Sequence, residues 1–177
     1  YQWQYNNSGT WADVVDNTPL GAIYSNQTSN AFTVTGISSA GSYQYRCAVS
    51  AAGSGCDGIN SNSGTLTVVA DPSITTQPAN PTTICAGGSV NFGIVATGGT
   101  PSLSYQWQYN NGGGTYANVA NGTPAGASYS NQTTNTITVS GISGAGSYQF
   151  RCAVSATGSG CDPINSSPGT LTVVSDP

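Results

Sequence analysis

The 177-residue sequence contains no histidine, lysine, glutamate or methionine. Charged residues make up 5% of it: Arg46 and Arg151 against Asp13, Asp16, Asp57, Asp71, Asp162 and Asp176, a net charge of −4. Without His or Lys, the Ser-His-Asp, Cys-His and Lys-assisted nucleophile systems cannot be assembled. Two cations are too few for nucleic acid, whose affinity rests largely on Lys and Arg at phosphates, and they offer little to an anionic membrane surface. No stretch approaches the ~20 apolar residues of a membrane-spanning helix. Cysteines occur, but not as the C-x-x-C pairs of a zinc site. Low charge with 24 glycines would suit disorder, which however also calls for few aromatic and β-branched residues. Here Val, Ile, Thr and Tyr are plentiful and fall in alternating runs. The expectation is a folded β protein.

The sequence repeats itself. GSYQYRCAVSAAGSGCD at 41–57 returns as GSYQFRCAVSATGSGCD at 146–162, and GTLTVVADP at 64–72 as GTLTVVSDP at 169–177. The offset is 105, or 104 for the opening YQWQYNN, because an extra glycine enters at 112–114. About three-quarters of the aligned positions are identical. A period of this size is a whole domain. Residues 73–175 read as one complete copy, residues 1–70 as the later part of another, and 71–75 as a short Asp-Pro linker. The counterpart of 73–104 is expected upstream of Tyr1, so the sequence reads as a window on a longer tandem array. The competing expectation is a self-assembling subunit whose first copy is completed by strands from a neighbouring chain.

Within the complete copy, short alternating runs are separated by turn residues. Val90, Phe92 and Ile94 point to one side, as do Tyr105, Trp107 and Tyr109, with both Gln outward. Ile137 pairs with Val139 in the next run. Tyr148, Phe150, Cys152 and Val154 alternate with outward Gln149 and Arg151, and LTVV at 171–174 ends the unit. Seven short strands in about 100 residues indicate a two-sheet sandwich.

These residues resemble the immunoglobulin-like fold. Trp3 and Trp107 take the place of its core Trp on the third strand, and GISGAGSYQFRC resembles its tyrosine corner leading into the Y-x-C strand. More narrowly, ICAGGSVNF, YQWQ, YQYRCAVS, GC and TLTVV, in that order, resemble the tandem repeats of large secreted Bacteroidota surface adhesins and filament proteins exported by the type IX route. The resemblance spans the whole chain and implies all-β, immunoglobulin-like sandwiches in tandem. Where the family has its second-strand Cys this sequence has Ile94, so the usual inter-sheet disulfide is not expected. The corner tyrosine falls either on Tyr45, whose counterpart is Phe150, or on Tyr43 and Tyr148.

Five cysteines, an odd number, favour an oxidising extracellular setting. Cys152 with Cys161, and Cys47 with Cys56, would close loops of about ten residues. Alternatively, related bacterial repeats imply Cys85 with Cys161. The first pairing leaves Cys85 over; the second leaves Cys152, and Cys47 in the first copy, as a small buried hydrophobe on the penultimate strand.

Sites with chemistry are scarce. Asp13 and Asp16 are the closest acid pair, as a glycosidase would need, but the second copy has Asn118 and Asn121 there. Asp71, Asp176, Asp57 and Asp162 supply too few carboxylates per junction for a calcium site; Asp-Pro as a turn former is the simpler reading. No metal or cofactor is expected, and no enzyme. Trp11 and Tyr116, with Tyr24 and Tyr129, lie between strands where an aromatic platform for surface glycans could form; packing on the sandwich edge is the alternative. Partners expected are adjacent repeats of the same polypeptide, identical chains in a filament and surface glycans, with neither nucleic acid nor membrane insertion.

Overall fold

The computed structural model describes residues 1–53, 55–99, 102–110, 113–156 and 161–177. The extra glycine of 112–114 falls partly outside them. Among the described residues every regular element is a β-strand. The chain forms two compact units, Tyr1–Ala70 and Asp71–Pro177. Asp71 belongs to the second, where its Oδ1 accepts from the Asp162 backbone N–H at 3.2 Å.

In the first unit, β1 (Gln2–Asn7), β2 (Thr10–Asp13), β5 (Gly41–Val49), β6 (Ile59–Asn60) and β7 (Gly64–Val68) make one sheet, ordered β2-β1-β5-β6 with β7 also on β5. A second sheet pairs β3 (Ile23–Ser25) with β4 (Thr33–Thr35). The core between them is rich in aromatic rings: Tyr24 and Tyr45 are buried, with Trp3, Tyr5, Phe32 and Tyr43 packed against them.

The second unit also contains the strands formed by residues 73–97. Its larger sheet runs β13 (Tyr116–Asn118), β12 (Leu103–Asn110), β16 (Gly146–Ala156), β18 (Gly169–Val174) and β9 (Ile84–Cys85), with β17 (Ile164–Asn165) on β16. Opposite lie β10 (Ser89–Gly93), β15 (Thr136–Ser140) and β14 (Ser128–Ser130), while β8 (Ser73–Thr76) pairs with β11 (Val95–Thr97). Period-2 alternation sends Trp107, Phe150, Cys152, Val154, Ile137, Val139 and Leu171 inward, all at 0% exposure. Ile94, the residue in place of the family's second-strand cysteine, lies in the same cluster as Cys152. A register shift between Val95 and Ala96 then leaves Val95 exposed.

The corner tyrosine is Tyr43 in one copy and Tyr148 in the other. Each is half-buried and donates its hydroxyl back four residues, Tyr43 to the Ser39 carbonyl and Tyr148 to that of Gly144, both at 2.8 Å. Tyr45 and Phe150 are core residues two positions on. Where β14 meets β15, Gly126 and Gly141 stack backbone on backbone with φ of 80° and 77°, and a Cβ on either would collide with the other's carbonyl. Gly21 and Gly36 repeat the contact. Asn26 and Asn131, which head N-x-T sequences, sit at φ 62° and 61°, a left-handed geometry Asn tolerates better than most residues.

The disulfide expectations are corrected: all five cysteines are free thiols. Cys47 and Cys152 face the core opposite Trp3 and Trp107. The residues alongside them on the returning chain are serines. The Cys152 N–H donates to Ser166 Oγ at 2.9 Å and the Ser166 N–H to the Cys152 carbonyl at 2.8 Å, a pattern that Cys47 and Ser61 repeat. Cys161 precedes Ser166 by five residues, roughly 16 Å of extended chain. The Cys85–Cys161 pairing fails on topology. Cys85 lies beside Val174 at the opening end of β16, and Cys161 follows its closing end. Eleven strand residues separate these ends by roughly 36 Å, against the ~7 Å limit between disulfide Cα atoms.

Candidate functional site

The outer face of the larger sheet carries a polar arrangement shared by both copies. On β1, β2 and β5, side chains alternate with the inward aromatic residues and form two rows. One row is Asp13, Gln4 and Arg46; the other is Trp11, Asn6 and Gln44. The Arg46 Nε–H donates to Gln4 Oε1 at 2.9 Å, and Gln4 Nε2 donates to Asp13 Oδ1 at 3.1 Å. Asn6 Nδ2 donates to Gln44 Oε1 at 2.9 Å. The guanidinium stacks over Trp11, 4.5 Å from the ring centroid.

The second copy reproduces this atom for atom with two replacements. Arg151 donates to Gln108 at 2.9 Å, Gln108 to Asn118 at 3.2 Å, and Asn110 to Gln149 at 2.9 Å. Arg151 stacks 4.0 Å from the Tyr116 centroid, and the Tyr116 hydroxyl reaches Gln149 Oε1 at 3.5 Å. Asp13 and Asn118 interchange because both offer the same oxygen acceptor. Trp11 and Tyr116 interchange because the guanidinium needs an aromatic face rather than a particular ring. In each copy the motif is a hydrogen-bonded lattice holding one of the sequence's two cations.

Of the residues expected to form a glycan platform, Trp11 and Tyr116 are on this face, half-buried and each with one ring face under an arginine. Tyr24 and Tyr129 are not. They are 5% and 6% exposed, and their hydroxyls donate to the carbonyls of Thr18 and Thr123 at 2.9 and 2.8 Å. Burial raises the pKa of both phenols, with the Tyr45 hydrogen bond adding to the effect at Tyr24. Asp16, read above as half of a discounted acid pair, and its counterpart Asn121 accept the backbone N–H of these tyrosines at 2.9 Å. Burial pushes the Cys152 thiol up to about 11, so it is a packing group at neutral pH. Gln4, Gln108, Arg46 and Arg151 were not among the residues expected to form a site, although Gln108 and Arg151 read as outward-facing. Their signal was the outward half of the same alternation that marked the core.

Among the described residues no cluster of three His, Cys, Asp or Glu side chains could hold a metal ion, and no helix is long and apolar enough to cross a membrane.

Two facing, largely antiparallel sheets, a core Trp and a tyrosine corner define an all-β, immunoglobulin-like sandwich. Solved structures agree on that fold. A marsupial T cell receptor aligns with a TM-score of 0.57 at 17% identity, over 99% of this chain and 63% of its own. Extracellular domains 3–5 of Drosophila OTK align at 0.53 and 16%, over 98% and 51%. The N-terminal eight Ig domains of DSCAM align at 0.51 and 15%, over 98% and 20%. The chain thus spans less than two thirds of each. No protein-family model matches the sequence, and no curated protein does.

Proposed function

We propose that the chain is a structural repeat of a long extracellular filament or cell-surface adhesin stalk, non-catalytic, acting as spacer and as a multivalent adhesive surface. The class that fits best is that of the large Bacteroidota surface proteins of the type IX route, on the order and spacing of the motifs given above. The observation that carries the reading is the repetition of one surface lattice in two copies that differ only by exchanges preserving each contact. Duplication suits a property that adds up with copy number, such as length or the avidity of many weak contacts.

The polar lattice also bears on glycan binding. Each copy keeps an aromatic ring on this face, as a lectin would, but the stacked arginine takes one side of it. The arrangement is better suited to stiffening a charge-poor sheet than to holding a sugar. The test is immunogold labelling of intact source cells with an antibody raised against the chain. Label distributed along surface appendages is expected; label confined to the cell interior overturns the reading. A glycan array probed with the chain and with its Trp11→Ala and Tyr116→Ala forms separates the lectin reading, which requires a signal that these substitutions abolish.

A further inference from the structure

The lattice leaves one edge of each arginine unused. Arg46 and Arg151 each commit their Nε–H to a glutamine, and among the described residues no hydrogen bond or carboxylate engages the terminal amino groups of either guanidinium. Both groups are nonetheless held. The Nε–H bond fixes one side, and the face of Trp11 or Tyr116 supports the flat of the guanidinium at 4.5 and 4.0 Å from the ring centroids. Such an arginine has already lost much of the side-chain freedom whose loss usually offsets an exposed ion pair. Its open fork matches the two oxygens of a carboxylate. The neighbours narrow the kind of carboxylate. Gln4, Asn6 and Gln44 surround Arg46, and Gln108, Asn110 and Gln149 surround Arg151. Apart from the stacked ring these rows contain no large apolar side chain, whereas a protein–protein interface has an apolar, aromatic core. Amide groups both donate and accept, which suits the hydroxyls of a sugar.

We propose that the outer face of the larger sheet is a carboxylate site, one in each copy, for a polyuronate chain. The arginine takes a uronate carboxylate through its two terminal amino groups, and the amides of the rows take neighbouring hydroxyls. The stacked arginine that closes the ring to a sugar is thus itself the binding group. One such contact is weak, and many copies on one polymer add up. The second copy is the stronger site. Asp13 stands in the row of Arg46, two strand spacings or roughly 10 Å away, and opposes a bound anion; Asn118 in the same place does not. The inference rests on the adhesive half of the reading above and names its partner.

The experiment titrates the full chain with sodium polygalacturonate at low salt in EDTA, followed by calorimetry. Saturable binding that weakens as salt rises is expected. Arg151→Gln should lower affinity about fivefold, the upper end for an exposed ion pair, and Arg46→Gln by less. Asn118→Asp keeps the oxygen that Gln108 needs and should lower affinity about twofold; Asp13→Asn should raise it by as much. Both substitutions leave the arginines and their stacking in place, so they report charge alone. The methyl ester of the polymer should not bind. Equal binding of the ester overturns the proposal in favour of sugar stacking on the rings. It is also overturned by no binding at low salt, or by affinity that Arg151→Gln and Asn118→Asp leave unchanged. Equally tight binding of poly-aspartate overturns it too, by assigning the face to an acidic protein. Labelled appendages without polyuronate binding remove this site and leave the stalk; binding with label confined to the cell interior does the reverse.

Discussion

Replacing Gly169 by alanine drives a methyl group to 2.8 Å from two carbons of the Phe92 ring and 3.0 Å from the Pro78 Cβ. Carbon atoms in good contact lie ~3.5–4.0 Å apart, so the shortfall is roughly 0.7 Å on two sides. The ring cannot retreat, being wedged against Phe150 and Trp107. Overpacking of this kind costs ~1–3 kcal/mol. Gly64→Ala is the same substitution at the same strand position of the other copy, with no neighbour inside 4 Å. There the loss of unfolded-state freedom stabilises by ~0.4–1 kcal/mol. The two substitutions should therefore differ by about 1.4–4 kcal/mol and in sign. Hydrogen exchange read by mass spectrometry across a urea series follows each unit through its own strands, β5 for the first and β16 for the second. With a urea slope of ~1–3 kcal/mol/M, a loss of ~2 kcal/mol moves the β16 midpoint down by about 1 M. Equal shifts in the two units, or a β16 midpoint that does not move, would refute the packing argument.

Tyr24→Phe strips the buried Tyr45 hydroxyl of its 3.1 Å partner as well as losing its own bond to Thr18. It should cost the first unit ~1–3 kcal/mol, against ~0.5–1.5 for Tyr129→Phe in the second, measured by the same exchange series. The raised Cys152 pKa of about 11 means that the unfolded chain releases this proton first as pH rises. Stability from this group is complete below the unfolded thiol's pKa, near ~8.5, and is lost as pH climbs towards 11. Urea midpoints of the second unit should be flat from pH 6 to 8 and fall above about 9, and Cys152→Ala should lessen that decline below about pH 10, before the buried phenols of Tyr109 and Tyr129 add to it. Arg151→Ala removes the stacking on Tyr116 and should destabilise by ~0.5–1 kcal/mol. With only eight charged residues, wild-type midpoints should move little between low salt and 1 M NaCl. Arg46 and Arg151, the two tryptic sites, lie within β5 and β16. Trypsin should therefore cut only on unfolding, with cleavage rates that follow urea stability.

The core was legible because its residues alternate. Phe92, Trp107, Ile137, Phe150, Cys152 and Leu171 each lie in a run long enough for period 2 to appear, and all point inward. The three-residue strands were not legible. Ser128–Ser130 and Ile23–Ser25 show no period, so Tyr129 and Tyr24 read as loop aromatics although tertiary packing buries them. The cysteine pairing failed for a related reason. Strand alternation says which way a thiol faces but not which end of the sandwich it occupies. That was decided by the parallel placement of Ile84–Cys85 beside the end of β18, a contact between residues almost ninety apart. The polar lattice sat in the letters Q-x-Q-x-N and Q-x-R, whose partnership across strands needed the register.

Chain entry and exit in the second unit have a mechanical consequence. Asp71 is held at the closing end of β16 and Val174 lies at its opening end. A pull on the two termini is therefore directed along the strands. β9 and β18 run parallel, so tension drags them past each other lengthwise, and their bonds must yield together rather than one by one from an end. Resistance of that kind is a rate property, set by the barrier to unfolding rather than by the folding free energy. A unit threaded this way can be modestly stable in urea and still slow to give under load.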